Sequence, residues 1–237
     1  MQSFAKVQQR AEQRKGGASG LEKLLPEVAN RTRLSTMTDD RYLAMMTKCI
    51  NQAGFNWSVI EKKWPQFEEA FYGFDPENLA YLSAEKWEAY MSDVRVVRNW
   101  QKISALRDNV GFLREVSAEH NGFGRFLAGW PPSDQVGLMR FLKKRGHRLG
   151  GATSQWFLRR VGKDGYILTG DVIDALQNAG VDIHDQPTSQ ADLRRVQQAF
   201  NQWHEETGLS YTHLSKIAAY SMGTNHDSDF IIAQINA

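Results

Sequence analysis

The sequence contains one cysteine, Cys49, in 237 residues. A single thiol excludes an internal disulfide and a cysteine-rich metal cluster, and it points to a reducing, cytoplasmic setting. Long apolar runs are missing as well, since nothing approaches the roughly 20 residues that a membrane span needs. Residues 1–20 are rich in Gln, Lys, Arg and Gly and lack the apolar stretch of a secretory signal. They read as a mobile arm, or a weak helix that frays at Gly16-Gly17. Net charge is only +2, so no field of one sign covers the molecule, and a polyanionic partner has to be argued from local clustering. Apolar–polar alternation is nearly absent too. Gly165-Tyr166-Ile167-Leu168 hints at a strand but is too short to organise a sheet.

What is present is helical periodicity. Tyr42, Met45, Met46 and Cys49 share one face after the Asp39-Asp40 pair, which suits a first turn. In FDPENLAYL, Asp75 is placed to cap and Pro76 to occupy the first turn. Ser83 then caps a short helix with Trp87 and Tyr90. Residues 95–117 form the longest periodic segment, with Val97, Trp100, Ile103, Leu106, Val110 and Leu113 on its stripe. Ser133 is expected to cap a helix running to Arg145. Further helices are expected at about 151–161, 171–179, 189–206 and 211–221, with Ser189 and Asp192 resembling a capping box. The fold class is therefore all-α, a bundle of short helices. It divides into an arm at 1–20, a helical domain at 21–222 and a loose tail at 223–237.

Three local features bear on chemistry. Ile50-Asn51-Gln52-Ala53-Gly54-Phe55-Asn56-Trp57 puts amides, a glycine and two aromatics at a helix junction. It is either a turn beside a core tryptophan or the lining of a pocket for a flat ligand. Residues 140–153, RFLKKRGHRLGGAT, form a basic, glycine-punctuated hairpin. A helix starting near Ala152 leaves its first amides without intrahelical partners, so they can hold a phosphate. Lys143, Lys144, Arg145, Arg148, Arg159 and Arg160 surround that point, as backbone contacts to DNA require. The other reading is a helix end with a solvated basic face. Asp171, after Gly170, reads as a helix cap; a carboxylate so placed also stays ionised and can face a developing cation.

The order of these segments, with VVRNWQKISAL (96–106) between them, resembles the 3-methyladenine DNA glycosylase I family, within the helix-hairpin-helix DNA glycosylase superfamily. The resemblance covers about residues 39–182. It implies a helix-hairpin-helix glycosylase fold and hydrolysis of the N-glycosidic bond of a damaged, alkylated purine flipped out of double-stranded DNA, leaving an abasic site. It implies a base pocket of Trp57, Gln52, Asn51 and Cys49, with Gly54 and Phe55 filling the gap left in the duplex. Gly146, Arg148, Gly150, Gly151, Thr153 and Lys144 would hold the DNA backbone. Asp171 matches the place of the superfamily's catalytic aspartate, where it would stabilise an oxocarbenium-like sugar and orient water.

The departures are as informative. Aligned on Trp57, Cys49 stands where the family carries a base-contacting glutamate. Zinc-ligand counterparts are missing, with Val172 following Asp171 where a histidine is expected, so no metal and no cofactor is expected. No lysine matches the lyase nucleophile of bifunctional members, which implies a monofunctional enzyme, and a monomer is expected. The residues after 183 have no family counterpart. A DNA-binding protein that has lost efficient excision is the alternative that the loss at position 49 motivates, and a helical protein-interaction domain is a third.

Overall fold

The structure is a computed structural model describing residues 1–227. In chain order the helices are α1 (Phe4–Arg14), α2 (Gly17–Glu22), α3 (Arg31–Thr36), α4 (Asp39–Gln52), α5 (Trp57–Ala70), α6 (Pro76–Ala80), α7 (Ala84–Ala89), α8 (Trp100–His120), α9 (Phe123–Gly129), α10 (Gln135–Arg145), α11 (Ala152–Arg160), α12 (Gly170–Asn178), α13 (Gln190–Thr207) and α14 (Tyr211–Tyr220). Single 3₁₀ turns lie at 72–74 and 132–134, and no strand occurs among the described residues. The chain folds into two compact units, each with its own core.

One unit comprises residues 29–131 and 137–163. Its pillar is α8, which buries Ile103, Ala105, Leu106, Val110, Phe112, Leu113 and Val116 and packs on α4, α6, α7 and α9. So broad a buried face, with every charged residue but Lys102 outside it, makes it the central helix of this core. The helix begins at Trp100 rather than near 95, because Asn99 caps it by accepting from the Lys102 amide. Arg95 instead holds Asp93 and Glu69 in ion pairs. Trp100 therefore sits at the helix mouth, 39% exposed, and not on the core stripe. The other caps follow sequence chemistry: Asp75 accepts from the amides of Glu77 and Asn78, and Ser83 from that of Lys86. The helix expected to start at Ser133 starts at Gln135, after the 3₁₀ turn.

The second unit comprises residues 1–28, 132–136 and those from 164 onward. The expectation of a mobile arm at 1–20 is corrected here. Phe4, Val7 and Ala11 form a fully buried stripe on α1, which packs against α13 and α14. Ser3 caps the helix, Glu206 accepts from the Phe4 amide, and the Phe4 ring lies 5.1 Å from Trp203. One large aromatic and two smaller apolar residues at helical spacing suffice to anchor a segment whose composition is polar. In α13, Ser189 accepts from the Asp192 amide at 3.0 Å. Residues 165–168 belong to no helix and pair with no strand among the described residues. Side chains of Gln135, Thr212 and Ser215 satisfy the amides of Tyr166, Gly165 and Ile167, which removes the need for a sheet partner. Of the expected loose tail, residues 223–226 are held. Arg14 donates to the carbonyls of Tyr220, Met222 and Gly223, and Lys15 to Asn225 and the His226 carbonyl. Residues 228–237 lie outside the described residues.

Candidate nucleic-acid and base-binding site

Two buried polar residues of α8 shape the site. Lys102, only 7% exposed, donates to the carbonyls of Asn51 (2.7 Å) and Ala53 (3.1 Å). A cation thus closes the carbonyl end of α4, where the helix dipole favours it. Burial, and secondarily Arg148, hold its pKa below the ordinary lysine value. Beyond it the loop turns out, leaving Phe55 45% exposed with the ammonium 5.2 Å from its ring. About two turns further along α8, Asn109 grips the basic hairpin from both sides. Its Nδ2 donates to the His147 carbonyl at 2.9 Å and its Oδ1 accepts from the His147 amide at 2.8 Å. Leu149 then drops fully into the core.

The hairpin between α10 and α11 is held in the backbone shape that the glycines suggest. Gly151 has φ 56 and ψ −132, open only to glycine, and leaves the start of α11 without a side-chain cap. Arg148 also has a positive φ, 58°, an uncommon state for a large side chain that fits a site held for function. Gly146 has a different reason: a Cβ there would lie 2.7 Å from Leu149 Cδ1 and 2.8 Å from the Leu142 carbonyl. Its smallness serves packing inside the hairpin. Arg148, Gly150 and Thr153 line a cleft of about 280 Å³ together with Ile50 and Ala53 of the α4 end. Lys143 and Lys144 are exposed beside it. Arg145 turns away, into ion pairs with Glu115 and Glu119 of α8.

The residues of the expected base pocket separate. Trp57 opens α5 behind an Asn56 cap and is 41% exposed, its edge against Trp156 at 5.0 Å and 90°. Gln52 is buried but shares its cluster. Its Nε2 donates to Glu61 at 2.8 Å, and its Oε1 accepts from Arg160. Cys49 is buried alongside, and burial pushes its thiol up to about 11 against the pull of Arg160 and Lys48. Asn51 faces elsewhere. Its amide donates back to the Thr47 carbonyl, and it lines a separate small cavity with Phe67, Phe71 and Lys102. Sequence reasoning missed three participants. Lys102 and Asn109 are polar residues on the otherwise apolar buried face of α8, a signal that was there to read. Arg160 was grouped with the basic hairpin, and only the fold places its guanidinium 4.7 Å over the Trp57 ring.

Asp171 lies in the second unit, exposed in the first turn of α12. The cap is not Asp171, as its place before Val172 suggested, but Thr169, whose hydroxyl accepts from the Val172 amide. Capping therefore does not account for the aspartate. Its carboxylate lies hard against Gly223, where a Cβ would come within 2.0 Å of Oδ1. His204 and His213 bond the carbonyls of Leu209 and Pro26.

With this geometry in place, the likenesses to known proteins can be stated. The sequence pattern of the methyladenine glycosylase family matches residues 34–184. The DNA-3-methyladenine glycosylase of Haemophilus influenzae is 34% identical over 58 residues, 24% of this chain and 31% of that protein. DNA-3-methyladenine glycosylase 1 of Escherichia coli (strain K12) is 27% identical over 136 residues, 49% of this chain and 72% of that protein. In three dimensions, 8-oxoguanine DNA glycosylase of Methanocaldococcus jannaschii superposes with a TM-score of 0.56 at 13% identity, covering 92% of this chain and 94% of that one. This last likeness is one of fold and reaches the helices beyond 183 that the family pattern leaves out. Since that pattern spans more than half of the sequence, the chain belongs to the methyladenine glycosylase family.

Proposed function

We propose that this protein is a monofunctional DNA glycosylase that removes a damaged purine, of the alkylated class named for its relatives, from double-stranded DNA. The family match over residues 34–184 carries the reading. The hairpin supports it: an uncapped α11 start, Arg148 and the exposed lysines suit phosphates. Phe55, exposed on a loop fastened by Lys102, is placed to enter the gap in the stack. Trp57 offers an aromatic face to an extruded base, and Gln52 fixes the Arg160 guanidinium beside it. Asp171 supplies the fixed charge for the oxocarbenium-like sugar and orients water toward it. The protein acts as a monomer without a cofactor.

Asp171→Asn tests the chemistry on duplexes carrying a single alkylated purine. Base release should fall by at least about a hundredfold, the usual scale for losing a positioned charge at a transition state, with the melting temperature unchanged. Undiminished release rejects the assignment. One observation favours a second reading, a DNA-binding protein without excision: Arg160 already occupies the indole face. Salt-dependent duplex binding with no base release from any alkylated duplex would establish it.

A further inference from the structure

The indole of Trp57 is already engaged. Arg160, from the last turn of α11, sets its guanidinium 4.7 Å over the ring and donates from Nη1 to the Gln52 side-chain carbonyl. Gln52 is held from its other end too, because its Nε2 donates to Glu61 at 2.8 Å. The amide is thereby fixed, with its oxygen toward Arg160 and its nitrogen toward Glu61. Lys48 pairs with Glu61 at 2.5 Å, and Cys49 beside them is a neutral thiol at ordinary pH. Two cations and one carboxylate leave a net single positive charge at the receptor, and it resides on the guanidinium.

That charge sorts purines by their own charge. An N-alkylated purine that is cationic in DNA must either push the guanidinium off the indole or stack on an indole whose π density the guanidinium already draws on. Both routes bring like charges within several ångströms. An uncharged purine meets no such repulsion, and its ring nitrogens and carbonyls can accept from the free N–H groups of the guanidinium. The reaction adds to the difference. Hydrolysis breaks the C1′–N bond and passes its electron pair to the purine. Water adds to C1′; its proton passes to solvent when the leaving purine was cationic and ends on the released base when it was uncharged. A cationic purine becomes neutral on taking the pair, whereas an uncharged one becomes anionic until protonated. A guanidinium against the leaving ring stabilises the second and not the first.

We propose that Arg160 is a specificity-determining residue of this site, turning it, within the alkylated class, away from cationic purines and toward uncharged ones with acceptor edges. The inference rests on the glycosylase reading for its substrate. Its physical content is a preference between two ligand charges at the Trp57 face.

The experiment compares excision of 7-methylguanine, cationic in DNA, with that of the uncharged ethenoadenine, each in the same duplex. Wild type, Arg160→Gln and Arg160→Lys are assayed, with thermal melting as the check on folding. A like-charge contact at this separation, partly exposed to solvent, is worth roughly ten- to a hundredfold in rate. Arg160→Gln should shift the ratio toward 7-methylguanine by that factor. Arg160→Lys, which keeps the charge, should hold the ratio near wild type. A ratio moving less than about threefold in a normally melting Arg160→Gln protein overturns the proposal. So does an equal shift in both variants, which would assign the effect to shape. Binding of ethenoadenosine, and of 7-methylguanosine at acidic pH where its ring carries the charge, is read in parallel by tryptophan fluorescence. If neither lesion is excised, nor 3-methyladenine from a third duplex run alongside, the glycosylase reading fails, and the binding ratio alone still decides the role of Arg160. Binding of neither nucleoside, or equal binding of both, also overturns it.

Discussion

Asn109→Ala is expected to loosen the basic hairpin without touching it in sequence. The side chain is 1% exposed and makes two bonds to a single residue 38 positions away, to the carbonyl and amide of His147. A neutral hydrogen bond contributes about 1 kcal/mol net, and a buried group left without its partner costs about 1–3 kcal/mol. The His147 side chain is half exposed, so water reaches this backbone in the variant and the low end applies. The loss is then about 2 kcal/mol for the pair, or roughly 4–8 °C in melting temperature for a chain of this size. Anisotropy titration of undamaged duplex should show weakened binding, since the turn carrying Arg148 and Gly150 is no longer fixed before contact. Asn109→Asp is the discriminating partner. It matches asparagine in shape but lacks the donor, and it faces a carbonyl with a buried carboxylate. If hydrogen bonding is what matters, aspartate is at least as damaging as alanine. An aspartate variant that melts like wild type would refute the reasoning, because volume alone would then hold the hairpin.

Lys102→Met keeps most of the buried stem but strands the carbonyls of Asn51 and Ala53. A loss of about 2–3 kcal/mol in urea melts is expected, with duplex binding weakened as the Phe55 loop loosens. Cys49, with its thiol raised by burial from 9.0 to about 11, should resist alkylation by iodoacetamide at pH 8 until the chain unfolds, and rapid native-state labelling would contradict the packing. The same shift fixes a pH dependence. The unfolded thiol ionises first, so this contribution to stability is whole below pH 9 and falls as pH rises from 9 toward 11. Comparing melts of wild type and Cys49→Ala at pH 7 and pH 10.5 isolates it, and the wild type should lose more on going alkaline.

Most helices were legible in the sequence because their start signals are chemical. Asp75-Pro76, Ser83 and Ser189 each act where side-chain chemistry places them. Errors arose where tertiary context overrode a local pattern. The stripe through Val97 and Trp100 ran on past Asn99, whose capping stops the helix. The first helix was hidden because Phe4, Val7 and Ala11 are few among polar neighbours, and only the Trp203 face of α13 makes their burial worthwhile. The Gly165–Leu168 segment forms no sheet, and side-chain amides and hydroxyls take the place of a ladder for its amides.

The site was legible in proportion to how local its causes are. Gly151 and the open start of α11 follow from neighbouring residues alone, and the hairpin was foreseen. Asn51 and Gln52 are adjacent, yet they part, because successive residues of a helix point about 100° apart. One amide therefore closes on Thr47 within α4 while the other reaches Glu61. Arg160 lies 103 positions from Trp57, and nothing in either neighbourhood announces the pair. Reading the arginine with its basic neighbours treated charge as a property of a run. The fold instead distributes the run residue by residue: Arg145 to the carboxylates of α8, Arg148 to the rim of the cleft, and Arg160 to the indole. The same logic bears on position 49: a thiol held neutral by burial sits beside the Arg160 guanidinium, so no charge at that position offsets the arginine's.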